Sequence, residues 1–199
     1  MINPPVLTPR SGHSGPKSTN LSPPLSPMDV KKLRVGELVK INGQIVTARD
    51  RAYVRALELL RAGKRLPLDL RGAVIYHCGP IVRKTPRSWQ ILSAGPTTSA
   101  RLDRMQAEFT RRTGVRALIG KGGIDEEVAV ELARLSCVYL AFTGGAAVLA
   151  AQAIEKVERV LWRDLGAAEA LWVLQVRDFG PLVVAIDTKG NNLYLHKKQ

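Results

Sequence analysis

The chain has 199 residues, 45% of them hydrophobic, and a formal net charge of +13 from 30 Lys and Arg residues against 17 Asp and Glu residues. It is long enough to bury one core. It has neither the roughly 18 consecutive apolar residues of a membrane span nor the layout of a secretory signal, so we expect a cytoplasmic protein. Its two cysteines, Cys78 and Cys137, lie far apart without CxxC spacing, and only three histidines occur. We therefore expect no metal or iron–sulfur site built from this chain alone.

The positive charge suits nucleic acid, an acidic small molecule or an acidic protein partner, and charge alone does not choose among them. The basic residues are scattered, and we find neither an aromatic RNA-binding motif nor a helix-turn-helix. Nucleic acid is therefore not the favoured partner. A basic protein that binds anions or nucleic acid without catalysis stays open as an alternative of another class.

The chain opens with a segment rich in proline and serine. Seven of the 12 prolines lie within residues 1–27. Because proline interrupts helices and sheet ladders, we predict a disordered extension over residues 1–29 and a globular domain over residues 30–199. The same prolines argue against an amphipathic transit peptide.

The first elements of the globular part have clear local signals. In "ELVKINGQIVTA" the residues alternate around Asn42-Gly43, which predicts a β-hairpin. The next segment, "TARDRAYVRALELLRAG", predicts a helix with Thr47 and Asp50 as a capping box and Gly63 as the C-terminal cap.

The rest of the chain alternates apolar runs with helical patterns. We predict strands in "GAVIYHCGP", "WQILSAGP", "VRALIGKGG" and "CVYLAF", a helix from about Thr98 to Thr113 closed by Gly114, and helices in "DEEVAVELARLS" and "GGAAVLAAQA". The C-terminal third predicts strands joined by a Gly-Pro step and a turn at "TKGN". This order of elements indicates an α/β domain with a mixed sheet.

Three predicted strand exits combine a cation with glycine, hydroxyl or helix-start donors. They are "TARD" with Arg49, "AGPTTSAR" with Arg101 and "GKGG" with Lys121. Ligands of α/β sheets gather where strands end, so convergence of these exits would create a site for a small polyanion. A nucleotide-triphosphate loop is not predicted, because Gly114 and Gly120 are separated by one residue too many and Gly122 stands where Ser or Thr should bind magnesium.

Arg101 carries the strongest of these signals. A helix start is already partly positive, so an arginine there is misplaced unless an anion lies nearby. Thr98 is the natural helix cap, which leaves Thr97 free for a ligand. Arg49 has a competing interpretation as a solvated first-turn residue, and His77 is more simply a hydrogen-bonded buried histidine than a base.

These segments together resemble the β subunit of the two-subunit iron–sulfur fumarate hydratases and tartrate dehydratases, a unit that also forms the C-terminal domain of single-chain class I fumarases. The resemblance covers residues 31–195 and is carried by seven blocks in the expected order: "GQIVTARDRA", "IYHCGPIV", "SAGPTTSARLD", "LIGKGGI", "GGAAVLAA", "DLGAAEALW" and "VRDFGPLVVAIDTKGNNLY". It implies a swivelling β/β/α domain, with a mixed sheet and flanking helices, that closes over a catalytic partner. Tyr53, where many relatives have histidine, and Leu102, in place of a common methionine, depart from the family's pattern.

The resemblance also implies an activity. The expected reaction is the reversible hydration of fumarate to (S)-malate, a step of the tricarboxylic acid cycle, with dehydration of L-tartrate as the alternative. The expected cofactor is a 4Fe–4S cluster held by an α subunit and not by this chain, whose open iron acts as a Lewis acid on the substrate hydroxyl. The enzyme is expected to be an α2β2-type hetero-oligomer that is active only with its α subunit.

Carried onto this sequence, the family's substrate-binding positions fall on Arg49, Thr97, Arg101 and Lys121. The resemblance implies that the two arginines and the lysine hold the dicarboxylate, and that Thr97 is the catalytic base or proton relay. A threonine hydroxyl is a weak base on its own, so Thr97 would need an acidic partner residue from the other subunit.

Overall fold

The computed structural model describes residues 18–86, 88–143 and 145–195. Its strands are β1 (Ser18–Leu21), β2 (Leu38–Thr47), β3 (Val74–Tyr76), β4 (Ile81–Lys84), β5 (Trp89–Ser93), β6 (Ala117–Gly120), β7 (Val138–Ala141), β8 (Ile154–Leu161) and β9 (Leu171–Ile186). Its α-helices are α1 (Pro27–Lys31), α2 (Asp50–Arg61), α3 (Asp103–Thr113), α4 (Glu126–Arg134) and α5 (Ala147–Gln152), and short 3-10 helices span Ser99–Leu102 and Arg163–Leu165.

Seven strands form one mixed sheet in the order β1-β2-β3-β6-β7-β9-β8. Strands β2, β3, β6 and β7 are parallel to one another, and β9 runs antiparallel to its neighbours. Because β9 also pairs with β2, the strands β2, β3, β6, β7 and β9 close into a ring. The predicted α/β domain with a mixed sheet and flanking helices is thus confirmed.

The sheet separates two hydrophobic clusters. Successive side chains of a strand point to opposite faces, so Tyr76 and Ile119 lie in one cluster and Ile75 and Leu118 in the other. Helices α2, α3 and α4 cover the second face, while the N-terminal segment, α5 and the antiparallel pair β4–β5 cover the first. None of the helices in the described part of the chain is long and apolar enough to cross a membrane.

The predicted hairpin at Asn42-Gly43 is wrong. Strand β2 continues through both residues and pairs along its length with β9, with register shifts between Val39 and Ile41 and between Ile41 and Gly43. Gly43 has a φ of +124°, which suits a bulge as well as a turn, and a Cβ at this position would lie 3.5 Å from Cδ of Pro23. The local turn signal therefore marks an irregularity in a strand whose partner lies far away in the sequence.

The predicted capping box at Thr47 and Asp50 is also wrong. Thr47 is the buried last residue of β2, and its hydroxyl accepts a hydrogen bond of 3.1 Å from the backbone N–H of Trp172 in β9. Helix α2 therefore begins after Arg49, which forms no side-chain cap. The C-terminal signals hold: Gly63 and Gly114 adopt positive φ values of 69° and 74° after α2 and α3.

The sequence predicts two strands joined by the Gly180-Pro181 step, and this prediction is wrong. Strand β9 is a single strand of 16 residues that runs through it. A Cβ at Gly180 would lie 2.8 Å from the carbonyl oxygen of Val39, so glycine allows β2 and β9 to approach closely here.

Residues 18–29 are ordered, contrary to the prediction of disorder up to residue 29, whereas residues 1–17 of the predicted extension lie outside the described residues. Strand β1 adds to the edge of β2 in parallel, and Leu21 and Leu25 join the first hydrophobic cluster. Ser26 and Asp29 form a capping box around Pro27 in the first turn of α1. Proline is tolerated here because it sits next to an edge strand and at a helix start.

Leu25→Ala tests this ordering. Leu25 is 4% exposed, so its truncation leaves a cavity, and we expect the free energy of unfolding to fall by about 2–4 kcal/mol in chemical denaturation. Met28 is 62% exposed in the same segment, and Met28→Ala should change stability by less than about 0.5 kcal/mol. Equal, negligible effects of both changes would contradict the packing of residues 18–29 against the sheet.

Candidate active site

The predicted strand exits with Arg49 and Lys121 lie at one edge of the main sheet, whereas the exit with Arg101 follows β5 in the separate two-stranded sheet. Strands β2, β3 and β6 are neighbours and parallel, so their carboxyl ends lie side by side. Arg49, His77 and Lys121 follow these ends directly. Closure of the ring thus brings together residues that are distant in the sequence.

Thr97 and its neighbours lie between the ends of β3 and β6. The Thr97 N–H donates to the carbonyl of His77 at 2.6 Å, and the Lys121 N–H donates to the carbonyl of Thr97 at 3.2 Å. The Ser99 N–H then donates to the carbonyl of Lys121 at 3.1 Å. These bonds fix the backbone of Thr97 beside that of Lys121, and no described residue forms a hydrogen bond with the Thr97 hydroxyl.

The predicted capping role of Thr98 is wrong. Thr98 does precede the 3-10 helix Ser99–Leu102, but its exposed side chain forms no cap hydrogen bond. Helix α3 begins only at Asp103. Arg101 accordingly lies in the 3-10 turn that leads from Thr97 to α3.

Asp50 connects the two predicted arginines, a role that the sequence analysis missed. Its Oδ1 lies 3.3 Å from Nη2 of Arg101, and its Oδ2 lies 3.8 Å from Nη2 of Arg49. The same carboxylate is therefore an ion-pair partner of both guanidinium groups. The sequence signal for this role is the position of Asp50 directly after Arg49 in "TARDRA", where the pattern predicts a helix cap instead.

Arg49 is held more tightly than Arg101. The Arg49 side chain is 20% exposed, against 56% for Arg101. It lies against Gly79, where a Cβ would come within 2.6 Å of Nη1, so only glycine leaves room for the guanidinium. Nε of Arg49 is buried and has no hydrogen-bond partner among the described residues, since Oε1 of Glu169 lies 3.6 Å away. Arg49 thus has two carboxylates nearby, Asp50 and Glu169, whereas Arg101 has Asp50.

A buried polar network lies behind these residues. Tyr53 Oη and Nε2 of His77 are 2.9 Å apart, and Nδ1 of His77 and Oγ of Ser99 are 2.9 Å apart. The hydroxyls of Ser99 and Tyr139 are 3.1 Å apart, and Tyr139 Oη donates to the carbonyl of Gly122 at 2.8 Å. Both ring nitrogens of His77 have partners, which confirms its interpretation as a hydrogen-bonded buried histidine. Tyr53, the departure from the family's pattern, is one of those partners.

Gly120 gives this network its space. A Cβ on Gly120 would overlap with Oγ of Ser99 and lie 3.1 Å from Nδ1 of His77. The last residue of β6 must therefore lack a side chain for Ser99 to reach His77. Because Ser99 is bonded through its backbone to Lys121, this contact positions the loop that carries Thr97 and Arg101.

Gly120→Ala should disrupt the network. We expect the free energy of unfolding to fall by about 2–3 kcal/mol, since the added methyl group must displace Ser99 or the strand. Gly145→Ala is the matched control, because a Cβ at Gly145 meets nothing within 4 Å. Chemical denaturation of both variants measures the difference, and an unchanged stability of Gly120→Ala would contradict the close packing of Ser99 on β6.

His77 makes stability depend on pH. Burial lowers the pKa of His77 from the ordinary value of 6.5 to about 3, so the native ring stays neutral while the unfolded ring binds a proton. This contribution to stability is complete above pH 6.5 and is lost as the pH falls toward 3. We expect unfolding to become easier by about 2 kcal/mol between pH 7 and pH 5.

Denaturation curves of the wild type and of His77→Gln, whose amide does not titrate, measure this contribution. The pH dependence should be weaker in the variant. NMR of the imidazole provides a second measurement on the wild type itself. A ring that becomes protonated in the native protein near pH 6 would contradict the assignment.

The chain matches a known family over nearly its whole length: residues 5–197 fit the family described as Fumarase C-terminus. It is 46% identical over 171 residues to a Methanocaldococcus jannaschii protein provisionally named L(+)-tartrate dehydratase subunit beta, covering 85% of this chain and 88% of the relative. It is 42% identical over 179 residues to the L(+)-tartrate dehydratase subunit beta of Escherichia coli K12, covering 90% and 88%.

A third relative is a Geobacillus stearothermophilus protein provisionally named class I fumarate hydratase. It is 39% identical over 175 residues, which are 87% of this chain but only 33% of the relative. This chain thus corresponds to about one third of that longer protein. The family match of this chain agrees with the resemblance deduced from the seven sequence blocks. We conclude that the chain belongs to the fumarase C-terminal family of hydro-lyases.

Proposed function

We propose that this chain is the β subunit of an iron–sulfur hydro-lyase and binds the dicarboxylate in the reversible hydration of fumarate to (S)-malate. The observation that carries this proposal is the set of groups at the edge of the sheet. Two arginines that share one carboxylate, a half-buried lysine and a threonine hydroxyl without a hydrogen-bond partner among the described residues meet there. Such a set can hold two carboxylates and still leave a polar group facing the carbon atoms between them.

Arg49 and Arg101 are proposed to bind one carboxylate together. Both guanidinium groups are partly exposed, and neither donates a side-chain hydrogen bond to another described residue, so both have donors available for a ligand. Asp50 lies close to both groups and keeps the two like charges together before the ligand arrives. Planar guanidinium groups match the two oxygens of a carboxylate in geometry and charge.

Lys121 and Thr97 are proposed to act on the rest of the substrate. Their backbones are bonded to each other, so the ammonium group and the hydroxyl project from adjacent positions. Lys121 would bind the second carboxylate, and the Thr97 hydroxyl would relay the proton of the carbon that is deprotonated. An acidic residue of the partner subunit would accept that proton, because a hydroxyl alone is too weak a base.

The cysteines in the described part of the chain do not fit an iron–sulfur cluster. Cys78 and Cys137 are both buried and belong to different hydrophobic clusters on opposite faces of the sheet. No group of three His, Cys, Asp or Glu residues among the described residues could hold a metal ion. We therefore place the 4Fe–4S cluster on an α subunit, which is part of the proposal.

The partner follows from the names of the relatives. Proteins 42–46% identical to this chain are named as beta subunits, which presupposes a second kind of subunit in those enzymes. We propose the same for this chain, with an α2β2-type assembly in the cytoplasm. The hydration of fumarate would place the complex in the tricarboxylic acid cycle.

L-Tartrate is the second candidate substrate, and the names of several relatives favour it. The same cations would bind either dicarboxylate, so an assay must decide. The chain, tagged and purified anaerobically from its own cells, should bring with it a cysteine-bearing partner and iron. Assays of that complex with fumarate and with L-tartrate identify the substrate, whereas a solitary chain free of iron would overturn the proposal in favour of a non-catalytic anion-binding protein.

Arg101→Ala should lower turnover of the assembled complex about 100-fold, the scale of losing one charged contact to the transition state. Arg104→Ala is the matched control: Arg104 is also exposed, one turn further along, and forms no ion pair with another described residue. Steady-state kinetics with the identified substrate measures both variants. Unchanged kinetics in Arg101→Ala, or an equal loss in the control, would remove Arg101 from the site.

A further inference from the structure

A cleft of about 790 Å³ lies at the other edge of the sheet from Thr97 and Lys121. Arg71 and Arg116 line it, and these residues come just before β3 and β6 begin, whereas His77 and Lys121 follow the ends of the same strands. The cleft is thus at least the length of a strand away from the candidate active site. Its volume is within the range of about 300–1,000 Å³ typical of small-molecule sites.

The cleft is strongly basic. Its lining contains one carboxylate, Asp69, and six cationic side chains: Lys64, Arg65, Arg71, Arg111, Arg112 and Arg116. The C-terminal ends of α2 and α3 also border the cleft, and their partial negative charge favours a cation near each helix end. That effect accounts for one or two cations and not for six.

Three of these six cationic side chains already have partners within the protein. Arg111 pairs with Glu131 at 2.6 Å, Arg112 pairs with Glu108 at 2.8 Å, and the Arg116 guanidinium donates to the carbonyl of Leu135. These three side chains therefore stabilise the wall of the cleft.

The other three cations, Lys64, Arg65 and Arg71, are exposed, and none has a carboxylate within 4 Å among the described residues. The carboxylate of Asp69 instead accepts from the backbone N–H of Arg71 at 2.9 Å. Three like charges without a carboxylate partner in the described part of the chain therefore line one cleft, where they favour the binding of an anion.

The cleft also has an apolar wall. Leu60, Leu66 and Leu68 are half-buried along it, and Leu66 and Leu68 pack against the second hydrophobic cluster. A simple inorganic anion would leave this wall unused. A ligand that carries several phosphates and a flat ring could use both the cations and the leucines.

From these observations, we propose that the cleft binds a nucleoside polyphosphate. Arg65, Arg71 and Lys64 bind the phosphates, since guanidinium groups match phosphate oxygens in pairs and lysine adds a point charge. The base packs on Leu66 and Leu68. The site belongs to this chain alone, so its occupancy does not depend on the dicarboxylate activity proposed above.

Calorimetric titration of the full chain with ATP in the presence of EDTA tests the proposal. We expect saturable binding that weakens as the salt concentration rises, because the contacts are mainly charged. In the double variant Arg65→Ser/Arg71→Ser the affinity should fall at least about tenfold, the scale of losing charge-assisted hydrogen bonds. The matched control, Lys31→Ser/Lys32→Ser, removes the same charge from exposed positions on and just after α1 and should bind ATP like the wild type.

Two further titrations distinguish the ligand classes. Inorganic tripolyphosphate should bind at least about tenfold more weakly than ATP if the leucine wall contributes. Equal affinities, absence of saturable ATP binding, or an equal loss in the control variant would each overturn the proposal. An RNA oligonucleotide that binds more tightly than ATP and loses affinity in the double arginine variant would overturn it in favour of a nucleic-acid surface.

Discussion

The two-sided pairing of β9 is the constraint on which the rest of the molecule depends. By bonding to both β2 and β7, this strand closes into a ring the sheet in which β2, β3 and β6 are neighbours. The edge formed by their carboxyl ends then holds Arg49, His77 and Lys121 at adjacent positions. The Thr47 hydroxyl, bonded to the backbone of Trp172, attaches the start of this edge to β9 directly.

The site is then built in two layers with different properties. The inner layer is a buried network in which His77, Ser99 and Tyr139 bond to one another without access to solvent. Buried polar groups that are fully satisfied allow few alternative arrangements, so this layer is rigid. The outer layer carries the charges: Arg49 is packed against Gly79, and Asp50 pairs with both Arg49 and the more exposed Arg101.

Much of the fold could be predicted from the sequence, because the signals involved were local. Gly114 after a helical pattern and the glycines after apolar runs mark the ends of helices and strands whatever surrounds them. The strand exits with Arg49, Arg101 and Lys121 were found for the same reason. The convergence of Arg49 and Lys121 follows from the general rule that parallel strands end at a common edge. Arg101 instead follows β5 of the separate two-stranded sheet, and it reaches the edge through a loop whose backbone is bonded to His77 and Lys121.

The errors share one physical cause, which is competition from distant residues. Asn42-Gly43 has the composition of a turn, but β9 offers β2 a complete set of hydrogen bonds, so the strand continues. Thr47 and Asp50 have the spacing of a cap, but one is used by Trp172 and the other by Arg101. Leu21 and Leu25 become buried only because the sheet presents an apolar face to them. Such pairings depend on tertiary structure that local patterns do not contain.

The closure of the ring by β9 also affects the order in which the chain folds during synthesis. Thr47 and Trp172 are 125 residues apart in the chain, so the bond between them forms only after nearly all the intervening helices and strands have been made. Contacts of such separation slow folding, because a long loop must be closed before they contribute stability. Until β9 emerges from the ribosome, β2 lacks its long antiparallel partner, and the ring that carries the candidate site stays open. A nascent chain would therefore complete the surroundings of this site late, as the ring closes.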